Sequence, residues 1–432
     1  MLNHLVNNVF ERTQLDEPDI TFYDELQTTT SVQDISNQTM YVLETRNSGT
    51  EALLDFDNAY LMVKYKIVKT NGTDYDNVIS RVSLVRSAWD LFASVQIELN
   101  RVRIDYCDWP GEVANIMLKT SKSYDYLVDN SRILGYYPAG VVNSISNGTT
   151  VATDSTDSNW LAGALESSES VSIWKKLPLN LVLGLTNIKK VLTGVNLVVR
   201  LEKNTDYNRM LMRSAAGENT DGKTVIEEIQ MFCPAMKLAP KKQAEFIMEL
   251  KAKPMIIDWQ QIYFYRMEAT GNNLQLNLFT GAKAPRHLIV CPQLSSVNAS
   301  QLNQNGGCYA STNVTDMFVT INGTATPFIK YNGANNGYLR EVTAIKRAFG
   351  KDKGGDGSSI IRPDNFEDYN SIFYFDLSKF PSLFQENNQS DVIVKINFVS
   401  SQAGAQTFNC LLLHNMHHKM IFQDGLMTLA QS

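Results

Sequence analysis

Two strand-like blocks recur in this chain in the same order and at nearly the same spacing. Near the middle, Leu177-Pro178-Leu179-Asn180-Leu181-Val182-Leu183 is followed by Leu197-Val198-Val199-Arg200-Leu201. About two hundred residues on, Phe373-Tyr374-Phe375-Asp376-Leu377 is followed by Val392-Ile393-Val394-Lys395-Ile396. The offsets are 194 (179 to 373) and 195 (197 to 392). Recurrence at a long fixed period marks a duplicated unit, and blocks of this kind make the unit an all-β domain.

A second pair agrees in kind. Val95-Gln96-Ile97-Glu98-Leu99-Asn100 runs into Arg101-Val102-Arg103-Ile104, and Phe318-Val319-Thr320-Ile321-Asn322 runs into Gly323-Thr324-Ala325-Thr326. Period-two apolar residues suit a half-buried pleat, and Asn tolerates the positive φ of a tight hairpin turn. The offset here is 222 (100 to 322), so loop lengths differ between the copies.

At 432 residues the chain is comfortable for two domains of about 200 residues, each able to bury a core. It is 44% apolar and 10% aromatic, rich in the Tyr and Phe that sheet surfaces favour. A net charge of −6 supplies no basic field for gripping nucleic acid along the whole surface. Met1 to Arg12 lacks the apolar core and small-residue cleavage site of a signal peptide, and the apolar stretch Leu177 to Ile188 is too short to span a membrane. The cysteines, Cys107, Cys233, Cys291, Cys308 and Cys410, are odd in number and widely spaced, which favours reduced thiols inside a cell. Asn-x-Ser/Thr sequons begin at Asn37, Asn71, Asn147, Asn298, Asn313, Asn322 and Asn388, and are expected to go unmodified.

Residues 1–37 are polar and weakly patterned and read as an N-terminal arm. The first β domain is placed at 38–237, where Leu61, Val63, Tyr65 and Ile67 share one face of a strand and Lys64 and Lys66 the other. A short helix is expected within Gly111 to Asp129. Residues 238–253 read as a linker helix, with Pro240 suited to a first turn and Pro254 as a stop. The second domain is placed at 254–425, with strands at Ile257 to Met267, Phe408 to Leu413 and His418 to Phe422, and a tail at 426–432. Three polar excursions, 138–172, 295–316 and 350–368, far exceed the usual connection of about 4–6 residues. Hung on a repeated framework, such loops are expected to project to one side.

Candidate chemistry is sparse. Gly217-Glu218-Asn219-Thr220-Asp221-Gly222-Lys223-Thr224 fits the phosphate-cradling G-x-x-x-x-G-K-[ST] pattern, which needs a buried strand before it and a helix after it. Asp206 to Ser214 is too poor in consecutive apolar residues for that strand, and Val225 to Phe232 carries no helix start, so a polar loop between the last two strands of the first copy is the favoured reading. His414, His417 and His418 are clustered imidazoles without a Cys or carboxylate at ligand spacing, and read as a strand end. Glu227 with Glu228, and Asp364 with Glu367, read as solvated faces, and Gly354-Gly355-Asp356-Gly357 as a flexible loop. Lys241, Lys242, Lys251 and Lys253 lack the interleaved aromatics of a nucleic-acid site. No catalytic, cofactor-binding or metal-binding residue is nominated.

The order of blocks resembles that of the double jelly-roll major capsid proteins of the Polinton (Maverick), adintovirus and virophage group, kin of the adenovirus hexon. The resemblance spans about residues 45–425 and rests on Tyr60 to Ile67, the hairpin Val95 to Ile104, and Thr280-Gly281-Ala282-Lys283-Ala284-Pro285-Arg286-His287-Leu288-Ile289-Val290. It continues through Phe318 to Gly323, Tyr338-Leu339-Arg340-Glu341, and Tyr369 to Leu377. The loop at 138–172 has no counterpart, and His414 to Gly425 matches only as a strand. What the resemblance implies is an all-β fold of two tandem eight-stranded jelly rolls with short helices and long surface loops, and a structural protein rather than an enzyme. Three chains would form a homotrimeric, pseudo-hexameric capsomer of an icosahedral virion assembled inside the host cell. Its strands would stand along the capsomer axis, with loops 138–172 and 295–316 as outer towers and the arm facing inward or linking neighbours. The implied partners are the chain itself, neighbouring capsomers, and penton and minor capsid proteins, with an internal membrane left open. Two alternatives are a glycan-binding spike or minor capsid protein, for which Trp160 is the loop aromatic, and a nucleotide hydrolase dependent on Lys223.

Overall fold

The structure, a computed structural model, describes residues 20–29, 35–45, 52–74, 82–136, 145–146, 150–151, 172–188, 190–213, 222–271, 273–280, 285–294, 307–309, 314–332, 337–350, 359–363, 366–379, 390–398, 406–423 and 426–429. Eight principal strands form the first copy: β1 (Ile20–Thr29), β2 (Met40–Glu44), β3 (Tyr60–Val68), β4 (Phe92–Leu99), β5 (Val102–Asp108), β6 (Ile173–Pro178), β7 (Leu197–Lys203) and β8 (Lys223–Leu238). Eight more form the second: β9 (Met255–Ala269), β10 (Asn273–Thr280), β11 (Pro285–Leu294), β12 (Val314–Ile321), β13 (Thr324–Asn332), β14 (Phe373–Asp376), β15 (Ser390–Phe398) and β16 (Gln406–Gln423).

Each copy is two antiparallel sheets. In the first copy the orders are β6-β3-β8-β1 and β2-β7-β4-β5, and in the second β14-β11-β16-β9 and β10-β15-β12-β13. Adding eight to each label converts one set into the other, so the duplication read from sequence is a duplication of topology. Its register is equally close. Leu197 pairs with Leu99 beside the Asn100 turn, and Val392 pairs with Ile321 beside the Asn322 turn, which fixes the offset of 195 for this block. The other block shifts. The strand that ends at Pro178 runs into a 3₁₀ turn at Leu179–Leu181, and the one that ends at Asp376 runs into a turn at Leu377–Lys379. The structural offset is therefore 198 (179 to 377), where apolar matching aligned strand with turn at 194.

Both hairpins turn through two left-handed residues, Asn100 and Arg101 at φ 49° and 69°, and Asn322 and Gly323 at φ 48° and 77°. That is the backbone twist that two-residue hairpins need. In β3, Leu61, Val63, Tyr65 and Ile67 are buried while Lys64 and Lys66 keep about a third of their side chains wet. The alternating inward residues of all four sheets join in one apolar core that runs through both copies.

The N-terminal arm requires correction. Residues 20–29 form β1, which pairs with β8 from Ile20↔Leu238 to Thr29↔Gln230 and takes the place that β9 takes against β16. The first barrel therefore begins inside the segment read as an arm. The cause lies in Asp24, Glu25 and Gln27, which break the alternation that would have announced a strand. Likewise Leu426–Leu429, inside the expected tail, forms a short strand on the end of β16, and the two expected C-terminal strands are one strand.

Three longer helices complete the frame: α1 (Pro110–Ser121), α2 (Pro240–Ala252) and α3 (Gly337–Ala348). α1 lies between β5 and β6, and α3 holds the same place between β13 and β14. α2 joins the copies, with Pro240 in its first turn. None of the described helices is long and apolar enough to cross a membrane.

Strand order fixes where the loops emerge. Only residues 270–272 separate β9 from β10, too few to traverse a barrel, so β10 runs back alongside β9. In this order the connections β9–β10, β11–β12, β13–β14 and β15–β16 share one end, and their first-copy counterparts do the same. The excursions 138–172, 295–316 and 350–368 belong to the β5–β6, β11–β12 and β13–β14 connections. The opposite end carries the two hairpin turns.

Candidate functional site at the junction of the two barrels

The elements that meet between the copies are β5, α1 and the 3₁₀ turn Gly184–Asn187 from the first, and β9 from the second. At one end the approach is backbone on backbone: a Cβ on Gly184 would sit 1.6 Å from the carbonyl oxygen of Gln260. Only glycine fits there. Beneath it the buried Asp105 carboxylate accepts the Leu185 N–H at 2.9 Å and the Tyr106 N–H at 2.8 Å, anchoring the turn. Burial pushes this carboxyl up to about 7, against the pull of its backbone donors. Tyr106 then meets Tyr263 edge-on at 5.9 Å.

At the other end lies a buried polar network. Arg86 donates to Asp90 through its backbone N–H at 2.9 Å and its guanidinium at 3.1 Å. A second guanidinium nitrogen reaches Glu112 on α1 at 2.6 Å. Across the junction, Arg266 of β9 donates to the same Glu112, and the Tyr309 hydroxyl donates to it at 3.1 Å. Asn115 donates to Tyr309 at 2.9 Å, and the Lys119 ammonium donates to the Gly307 carbonyl at 2.7 Å. Arg266 also reaches Asn409 at 3.3 Å, which donates to Gln293. Cations Arg86, Arg266 and Lys119 thus face Asp90 and Glu112, all at most a tenth exposed. Burial raises Asp90 to about 6 and lowers Lys119 to about 8, while the facing carboxylates hold Arg86 charged. The network needs close packing. Trp109 adopts φ 55° to start α1, and a side chain on Gly111 would strike the Asp90 carboxylate at 2.0 Å.

Near this end a cleft of about 520 Å³ is lined by Ser94, Asp108, Trp109, Glu202, Arg209 and Glu268. The guanidiniums of Arg266 and Arg209 lie over the Trp109 ring at 4.5 and 5.8 Å, so stacking on this aromatic is already taken up within the chain. Such a junction fixes two barrels rigidly side by side, with the carboxylates enclosed as counter-charges.

The sequence candidates lie elsewhere and do not converge. Lys223 and Thr224 open β8, paired with Val68 and Ile67, so a strand and not a helix follows the glycine-rich pattern, whose residues 217–221 lie outside the described residues. This contradicts the phosphate-cradle alternative. His414 packs against Tyr263 at 4.9 Å, His417 binds Asp258 at 2.6 Å and His418 stacks on Trp259 at 5.0 Å. Among the described residues no three His, Cys, Asp or Glu side chains converge as metal ligands. Glu227 pairs with Lys64 at 3.4 Å while Glu228 accepts from Gln230, so the two act apart. Glu367 is exposed, as are Lys241, Lys251 and Lys253. Asp364, Trp160 and Gly354 to Gly357 lie outside the described residues. All five cysteines are buried and unpaired.

Comparison with solved structures decides the architecture. The chain superposes on the Sputnik virophage structure with a TM-score of 0.60 at 9% identity, covering 97% of this chain and 90% of that one. The fold is a double jelly roll. The mavirus major capsid protein matches at 0.56 and 10% identity over 96% and 90% of the two chains, and the Faustovirus major capsid protein at 0.54 and 9% over 93% and 91%. No family model matches the sequence. No curated protein matches it either. The double jelly roll is thus shared at sequence identities where only the strand plan and its core pattern persist, and that plan is what Leu99↔Leu197 and Ile321↔Val392 repeat within one chain.

Proposed function

We propose that this chain is a major capsid protein, a structural subunit whose homotrimer forms a pseudo-hexameric capsomer of an icosahedral virion. The observation that carries the reading is the internal one: two barrels of identical strand order, locked side by side through Arg266, Glu112 and Gly184, with long connections at a shared end. That the ends are shared follows from the junction, where Arg266 near the close of β9 meets Glu112 just beyond the close of β5. Likeness to the mavirus and Faustovirus major capsid proteins over nearly their whole length supports it.

Two similar barrels per chain let three chains fill six positions around a closed ring by head-to-tail contacts. In this reading the chain performs no turnover, the buried junction is scaffolding, and the loop-bearing end faces outward. Neighbouring capsomers, penton and minor capsid proteins are its partners. Electron microscopy of the purified protein tests the proposal. The expected particle has three-fold symmetry and a pseudo-six-fold outline, and a stable monomer by light scattering over a wide concentration range overturns it.

A further inference from the structure

β9 enters the junction as an edge strand, bonded to β16 on one side and turned towards the first barrel on the other. Along such a strand the N–H and C=O of alternate residues point to opposite sides. Two contacts show which residues of β9 point towards the first barrel. The Ile256 carbonyl accepts from the Lys190 ammonium at 2.8 Å, and the Gln260 carbonyl lies against Gly184. Asp258, midway between them, therefore turns its N–H and C=O the same way. Among the described residues neither group has a hydrogen-bond partner. Asp258 lines a cleft of about 360 Å³, with Gly184 and Asn187 on the first-barrel side and Gln260, Asn415 and His417 on the second. The cleft lies at the end opposite the long connections, where β9 begins and β16 closes.

The two closures of this edge are unequal. Gly184 against Gln260 is backbone on backbone and fixed. Lys190 is a flexible side chain whose ammonium stands where the N–H of a neighbouring strand would donate, and lysines commonly blunt sheet edges in this way. Its swing into solvent costs one exposed hydrogen bond. The edge then offers the N–H and C=O of both Ile256 and Asp258.

We infer that this edge is a docking site for an extended acidic peptide segment of another protein, which displaces Lys190 and adds a strand to β9 at Ile256–Asp258. The surrounding charge selects the occupant. Ile256, 49% exposed, pairs across the ladder with the exposed Lys419, so the two share one face of the sheet. Lys190 and Lys419 therefore flank the position that a partner residue takes opposite Ile256. An acid there meets two cations, and a base meets like charge. The Asp258 carboxylate is engaged by His417 at 2.6 Å, and the Gln260 amide donates to Asn415 at 3.4 Å. The site lies wholly within one chain, so its failure leaves the capsomer reading intact.

Fluorescence anisotropy on the full chain tests the site with a labelled, capped peptide of alternating Val and Glu. Saturable one-to-one binding is expected, about tenfold or more tighter than for the alternating Val and Lys peptide. The Val and Glu peptide N-methylated at every residue cannot pair as a strand and is expected to bind as weakly as the Lys peptide. Lys419→Glu is expected to weaken the acidic peptide about tenfold. Asp258→Pro removes an N–H that points away from β16, a position where an edge strand tolerates proline, and is expected to weaken it as much. Thermal melting by circular dichroism close to that of wild type separates a lost site from a lost fold. No saturable binding at about 1 mM peptide, equal affinity for the N-methylated analogue, or unchanged affinity in both folded variants overturns the inference.

Discussion

Glu112 holds two guanidiniums and a phenol in a space closed to water. Truncating one member of such a group leaves the others charged and unpaired, at about 3–5 kcal/mol. Glu112→Ala is therefore expected to lower the urea midpoint by that equivalent, with the slope unchanged. Gly184→Ala forces a methyl group into the Gln260 carbonyl and is expected to cost about 1–3 kcal/mol by the same measurement. Buried carboxyls add an unusual pH dependence. Asp90, Asp105 and Glu341 sit at about 6, 7 and 7 in the fold, above their ordinary values, because burial penalises their charge. Between those values and the unfolded ones the folded chain binds more protons, so stability rises as pH falls from about 7.5 towards 5. Lys119, lowered to about 8, acts above that window. Differential scanning calorimetry should show a higher melting temperature at pH 5.5 than at pH 7.5, and Asp105→Asn should flatten the difference. None of this network was legible in the sequence, since Glu112 and its partner Tyr309 stand 197 residues apart on separate connections.

Elements were more legible than contacts. Strand β3 announced itself because the inner Leu61, Val63, Tyr65 and Ile67 alternate with Lys64 and Lys66 on the outer face, and the hairpins did because Asn leads both turns. β1 stayed hidden because Asp24 and Glu25 break its alternation, and its partner strand β8 lies some two hundred residues away. The turn comparison yields a further expectation. Arg101 adopts φ 69° where the second copy has Gly323 at φ 77°, and a side chain in that region costs about 1–2 kcal/mol. Arg101→Gly should therefore raise stability, by about 0.5–1 kcal/mol after the added freedom of the unfolded glycine is counted, as read from chemical denaturation.

For the whole molecule, the repeat at 195 residues contained the architecture, since the paired strands Leu99↔Leu197 and Ile321↔Val392 carry the same plan in both copies. Because one apolar core and one charge network run through both barrels, the halves should unfold together. Intrinsic fluorescence and far-UV circular dichroism are expected to give coincident transitions in urea, and two separated transitions would mean the junction is weaker than its burial indicates.

α1 carries a consequence for synthesis on the ribosome. Its Glu112 and Lys119 find their second-barrel partners, Arg266 and Gly307, only 154 and 188 residues later in the chain. At translation rates of about 5–20 residues per second, the helix waits roughly 10–40 s beside a barrel that cannot yet close over it. During that interval the nascent first half exposes a charged and aromatic seam suited to a second barrel, and the seam of a neighbouring nascent chain is the competitor that the tether of α2 must outpace.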